Sequence, residues 1–180
     1  MEHGTGNKKR VYMDYAAATP LDPRVLKKML PFLGATFGNP SSIHAEGRHA
    51  KKAVETARKD VARVLSASAD EIIFTGSGTE SIALAICGIM GAYPKGHLIT
   101  TSVEHAAVLE NAESLRNKNF QVTIVDAEPN GIVSPKKIEA VLRKETVLVS
   151  VVYVNNEIGA VEPLSEIARM LRKERNRRRE

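Results

Sequence analysis

A single cysteine, Cys87, stands in the 180-residue chain. No intrachain disulfide can form, which excludes the disulfide-stapled secreted class and predicts a reducing compartment. The opening residues, MEHGTGNKKR, hold no apolar stretch of the kind a secretory signal needs. Apolar runs are short throughout. The longest, Ile82–Tyr93, falls well below the roughly 20 residues that cross a bilayer. No His, Cys, Asp or Glu spacing matches a metal site. These absences predict a soluble, cytoplasmic protein with no membrane and no metal role.

Charge is present but confined. The net charge is +5, and Arg169–Glu180 accounts for all of it with seven basic and two acidic residues. The remainder carries nineteen of each sign and is neutral. A neutral body with one basic end is not a nucleic-acid face, so the tail reads as a solvated, frayed helix end. Hydrophobic residues make up 43% of the chain, enough for a core. The expected layout is a loose leader over 1–10, one domain over 11–172 and a basic tail over 173–180.

Strand and helix patterns alternate along the domain. Val11–Tyr15 reads as a short strand-like segment. Asp22 caps a helix with Pro23 at its first position, running to about Phe32. Gly34–Ser42 is a loop. A helix over Gly47–Leu65 carries an apolar stripe from Ala50 to Leu65. Ile72–Phe74 reads as a buried strand, followed by a helix from Thr79 with Ile82, Leu84, Ile86, Ile89 and Met90 on its apolar face. Strands follow at His97–Thr101, Phe120–Val125 and Thr146–Val154. Helices follow at about 105–118, 134–144 and 163–172. The alternation predicts an α/β fold with a mostly parallel sheet flanked by helices.

The stretch Glu71–Ser81, EIIFTGSGTES, is the first functional candidate. A strand, a small-residue turn and a helix start make an anion seat, because the first N–H groups of a helix lack intrahelical acceptors and sit at the positive end of its dipole. A phosphate fits such a place. The alternative is a plain tight turn with a capped helix. The dinucleotide fingerprint fails because Ser81 stands where its last glycine belongs, and no Gly-Lys-Ser/Thr of a P-loop follows. Ligands of parallel sheets gather at the strands' carboxyl ends, where Gly76–Thr79, Glu104-His105 and Asn155–Glu157 are all expected. Taken singly, His105 reads as a helix-start polar residue, Asn155 and Asn156 as turn formers and Glu157 as a solvated charge.

Taken together, Met13–Pro23 (MDYAAATPLDP), Thr36–His44 (TFGNPSSIH), Glu71–Ser81, Ser102–Val108 (SVEHAAV), Asn130–Ile132 and Leu148–Gly159 (LVSVVYVNNEIG) resemble the cysteine desulfurases of the class V aminotransferase family. The resemblance implies a type I fold dependent on pyridoxal 5′-phosphate (PLP), of which this chain is the N-terminal portion of the large domain. It implies L-cysteine as substrate, L-alanine and a persulfide as products, and a homodimer. By the same resemblance Gly78 and Thr79 bind the PLP phosphate. His105 stacks on the pyridine ring and is the candidate catalytic residue, and Asn156 bonds the cofactor's phenolic oxygen. Cys87 does not match the family nucleophile and reads as a core residue. His44 is assigned only a structural role, and His3, His49 and His97 none.

Two departures bear on activity. Ser81-Ile82-Ala83 stands where the family has a small residue followed by Asp/Asn-Asn, and Gly78 replaces the more usual alanine. Beyond the position of Glu180 the family places the ring-nitrogen aspartate, the Schiff-base lysine, the carboxylate-binding arginine and the nucleophilic cysteine. The isolated chain is therefore expected to bind PLP weakly and not to turn over, and to present an open sheet edge. Two other readings are a non-catalytic protein that pairs with a full-length homologue, and a portion of another class V enzyme such as a selenocysteine lyase.

Overall fold

The computed structural model describes residues 11–178. They divide into two compact units, the first ending at Phe74 and the second beginning at Thr75.

In the first unit, Val11–Tyr15 is not a strand. It is irregular, exposed chain followed by a turn in which Ala17 N–H bonds Asp14 O at 3.2 Å. Helix α1 (Pro23–Met29) begins as its cap predicts: the Asp22 carboxylate accepts from Arg24 N at 2.7 Å, and Pro23 needs no acceptor. A 3₁₀ turn over Leu30–Leu33 extends it. Helix α2 (Ala45–Leu65) starts two residues before the expected Gly47, because the His44 ring caps it by accepting from Gly47 N at 3.3 Å. Gly47 is obligatory, since a Cβ there would collide with the Ser42 backbone. Of the predicted α2 stripe only Ala62 is buried within the chain.

The expected buried strand over Ile72–Phe74 is also absent. A 3₁₀ turn, Ala69–Glu71, leads into extended chain that pairs with no strand among the described residues. Ile73 and Phe74 are 68% and 49% exposed. Arg58 of α2 takes the role of a neighbour: its guanidinium donates to Ile72 O and lies 5.0 Å from the centre of the Phe74 ring.

The second unit alternates as expected: α3 (Gly78–Gly91), β1 (His97–Thr101), α4 (Ala106–Asn117), β2 (Gln121–Val125), α5 (Pro135–Ala140), β3 (Thr146–Val149) and α6 (Leu164–Arg177). The three strands are parallel in the order β2–β1–β3. Strand alternation splits the core. Leu98 packs on one face with Ile86 and Met90 of α3 and Val108, Ala112 and Leu115 of α4. Ile99 and Val125 pack on the other with Ile138 of α5 and Ile167 of α6.

Several limits shift. On α3 the inward line is the partly buried Ile82 with the buried Ile86 and Met90, spaced by four, whereas Leu84 and Ile89 are exposed. Strand β3 stops at Val149, and the chain beyond it is tied by an isolated bridge between Val154 and Val161. Helix α5 ends at Ala140 rather than near Lys144. Helix α6 runs on through the expected tail to Arg177, where Glu174 pairs with Arg177 at 2.8 Å and Arg178 at 2.9 Å. Cys87 is half-buried rather than a core residue, and its thiol donates to Asn111 Oδ1 of α4 at 3.3 Å.

His97, given no role by the sequence, joins all three strands. It is fully buried, with Nδ1 2.9 Å from Thr146 Oγ1 and Nε2 2.8 Å from Thr123 Oγ1. Burial holds its pKa below the ordinary value, with the nearby Arg143 charge adding to the effect and Glu145 opposing it. The folded state thus favours the neutral ring. That contribution is present above the unfolded pKa of ~6.5 and is lost as pH falls toward the lower folded value. We expect urea midpoints of the chain to decline from pH 7 to pH 5, and His97→Gln, which keeps one donor and one acceptor, to flatten that decline. Equal slopes in both proteins would show that His97 does not set the decline.

Candidate functional site

The turn Thr75–Ser77 is ordered by its own side chains. Thr75 Oγ1 donates to Ser77 O at 3.0 Å and lies 2.6 Å from Ser81 Oγ. Ser77 is the N-cap of α3, with Oγ accepting from Glu80 N at 3.2 Å. The Glu80 carboxylate reaches back and accepts from Gly76 N at 2.7 Å. This reciprocal Ser77/Glu80 arrangement is close to a capping box, and Ser-x-x-Glu at 77–80 is its signal in the sequence. It consumes the N–H groups of Gly76 and Glu80. Those of Gly78 and Thr79 have no protein acceptor among the described residues, and both residues are exposed. Nothing lies within 4 Å of the place a Gly78 Cβ would take, so an anion can reach the backbone there.

The seat therefore has two free donors beside a fixed carboxylate. Glu80→Gln keeps an acceptor for Gly76 and removes the charge. We expect it to raise the affinity for inorganic phosphate about two- to threefold at low salt, with the gain fading by 0.5 M salt. Phosphorus NMR titration of both proteins measures this.

His105 lies at the carboxyl end of β1 and caps α4, its Nδ1 accepting from Ala107 N at 3.1 Å. The neutral ring then carries its proton on Nε2, and the ring is exposed. Helix α3 leads into β1 and α4 leaves it, and both cover the same sheet face. The Met90 side chain sits by Gly96 at the start of β1, so α3 runs antiparallel to the strands. The starts of α3 and α4 thus share the sheet's carboxyl edge.

The segment after β3 returns to that edge. Asn156 and Glu157 are both exposed, and the Asn156 amide donates to Glu157 Oε1 at 2.9 Å. Gly159 closes the loop with φ +69°, a conformation that favours glycine, and donates to Asn155 O at 2.9 Å. Topology places Gly78, Thr79, His105 and Asn156 on one edge, and hydrogen bonds join the turn before His105 to the loop of Asn156. Asn155 Nδ2 donates to Val103 O at 2.9 Å. Glu104 Oε1 accepts from Val152 N at 2.7 Å and from Thr101 Oγ1 at 3.0 Å. Burial raises the Glu104 pKa, offset by those two bonds and reinforced by the charge of Glu162. Glu162 is itself buried and accepts from Val133 N at 2.8 Å. Sequence reasoning placed Glu104 at the strand's carboxyl end without assigning it contacts, and gave no role to Glu162 or His97. The one available signal was the presence of such groups within or beside apolar strand runs, where they must find partners.

Among the described residues no His, Cys, Asp and Glu group forms a metal site, and no helix is long and apolar enough to cross a membrane. The edge offers an anion seat, an aromatic imidazole and a carboxamide, a set suited to a phosphorylated planar heteroaromatic compound. The Aminotransferase class-V family model matches residues 11–177. A putative cysteine desulfurase, IscS 1 of Bacillus subtilis, is 46% identical over 166 residues, which is 91% of this chain and 44% of that relative. A solved NifS-like protein superposes with a TM-score of 0.89 at 38% identity, covering 91% of this chain and 46% of its own. SspA in complex with cysteine gives a TM-score of 0.87 at 38% identity, covering 91% and 48%.

Proposed function

The chain belongs to the aminotransferase class V family, and on that premise we propose that it is the N-terminal part of the cofactor domain of a PLP-dependent cysteine desulfurase. It spans under half the length of the curated relatives it matches. The observation that carries the reading is the pair of free N–H groups on Gly78 and Thr79 at the start of α3, on the same sheet edge as His105 and Asn156. A phosphate fits there without displacing a protein contact.

PLP, when bound, supplies an electron sink for bond cleavage next to a substrate amine. The residues of this chain would hold and orient it. Gly78 and Thr79 would donate backbone N–H groups to its phosphate, with the helix dipole adding attraction. The His105 ring, held by its Nδ1 bond to Ala107, would stack on the heteroaromatic face. The exposed Asn156 amide would bond the phenolic oxygen. L-cysteine is the proposed substrate, its sulfur passing to a protein thiol as L-alanine is formed. The proposed setting is the cytoplasm, with the Schiff-base lysine and the nucleophilic cysteine supplied from a complementary stretch of protein.

The β3 edge supports association with such a partner or with a homologue. Strand β3 pairs only with β1 among the described residues, and a cavity of about 270 Å³ beside it is lined by Leu142, Val147, Val149 and Leu171. Mixing the chain with C-terminal halves of its relatives and PLP tests the proposal. Cysteine-dependent sulfide and alanine are expected from at least one pairing. Their absence from all pairings, with the mixed chains shown to associate, rejects the desulfurase reading.

A further inference from the structure

The turn that carries His105 and the loop that carries Asn156 diverge where the sheet ends. The last main-chain rung between them is Ser150 N to Ile99 O at 2.9 Å. Beyond it, residues 101–105 and 151–159 share no main-chain hydrogen bond among the described residues, and two side chains take over. From the geometry we propose that Asn155 and Glu104 are positioning residues: they clamp the His105 turn to the Asn156 loop and set the gap that receives the cofactor ring. The inference rests on the reading of His105 and Asn156 as ring contacts.

Asn155 is built for two tasks at once. Its Oδ1 accepts from Glu157 N at 2.9 Å and Ile158 N at 3.0 Å, which shapes the loop. Its Nδ2 donates to Val103 O at 2.9 Å, which crosses to the other segment. Glu104 crosses in the opposite direction, taking Val152 N at 2.7 Å while Thr101 steadies the same oxygen. Each crossing bond is part-buried and ties a side chain to backbone near a proposed ring contact, Val103 two residues before His105 and Val152 four residues before Asn156. Loss of either crossing bond frees one wall of the gap without touching the α3 seat.

The two tasks of Asn155 are separable. Asn155→Asp keeps the acceptor for Glu157 and Ile158 and removes the donor to Val103. Glu104→Gln keeps an acceptor for Val152, and Glu104→Ala removes it. The probes are inorganic phosphate, which reports the seat alone, and 4′-deoxypyridoxine 5′-phosphate, which adds the ring but has no aldehyde to react with surface lysines. In the full chain, Asn155→Asp and Glu104→Ala are expected to weaken the ring probe about five- to tenfold while phosphate changes less than about twofold. Glu104→Gln should stay near the parent. In ¹H–¹⁵N spectra without ligand, the amides of both His105 and Asn156 should move in Asn155→Asp and that of Thr79 should not.

A parallel loss for both probes, or unmoved His105 and Asn156 amides, overturns the clamp. A parent chain that binds the two probes equally refutes the ring-contact reading instead, and the spectra of the ligand-free variants still decide the clamp.

Discussion

Leu98→Ala is expected to lower the unfolding free energy of the Thr75–Arg178 unit by ~3 kcal/mol, within the 2–5 kcal/mol typical of such truncations. Leu98 is fully buried in the central strand, and six residues of α3, α4 and β1 close around one another there. Removing its isopropyl group leaves a cavity that rigid neighbours on a three-stranded sheet cannot collapse to fill. Against a typical total of 5–15 kcal/mol this is a large share. The matched control is Leu84→Ala. Leu84 lies on α3 but is 49% exposed, so it should cost under about 0.5 kcal/mol. Urea denaturation of both variants measures the contrast. Equal losses would mean that α3 presents a different face to the sheet.

Gly78→Pro is expected to weaken 4′-deoxypyridoxine 5′-phosphate about tenfold or more, matching the loss of one charge-assisted hydrogen bond of ~1.5 kcal/mol. The substitution removes the N–H of Gly78 and little else. Gly78 is the first residue of α3, where proline is well tolerated. Ser77 before it is already extended, with φ −163° and ψ 165°, as a residue preceding proline prefers. Helix content by circular dichroism should therefore hold. Gly78→Ala keeps the N–H, and a methyl group there meets no atom within 4 Å. It should bind within about twofold of the parent. A proline variant that binds as well as the alanine variant would show that the donor at 78 does not face the phosphate.

The sequence was most legible where structure is local. Asp22-Pro23 marked the start of α1, and β1, β2 and α4 fall within a residue or two of their patterns because their partners lie in the same unit. Legibility failed where an element depends on neighbours. Ile72–Phe74 has the composition of a buried strand, yet no strand pairs with it among the described residues, so Arg58 engages its backbone and ring instead. Periodicity also overcounted the α3 face: Leu84 and Ile89 are apolar, but only the line through Ile82, Ile86 and Met90 meets the sheet.

For the site, family resemblance singled out Gly78, Thr79, His105 and Asn156, and the chain's topology sets all four on one edge. What it did not single out were the polar groups behind them. Asn155 looked like a turn former and is one, but a side chain that donates across to Val103 leaves no trace in the spacing. Glu104 was legible only as half of the Glu104-His105 junction at the carboxyl end of a strand. Its value lies in a backbone N–H forty-eight positions further along the chain.

The proposed function turns on the start of α3 as a seat for the phosphate of a ring-bearing cofactor. The most direct measurement is a pair of ¹H–¹⁵N titrations of the chain, one with 4′-deoxypyridoxine 5′-phosphate and one with the same compound lacking its phosphate. The amides of Gly78 and Thr79 are expected to shift with the first compound and not with the second, while those of His105 and Asn156 respond to the ring. Unmoved Gly78 and Thr79 amides at saturation, or equal binding of the two compounds, would contradict it.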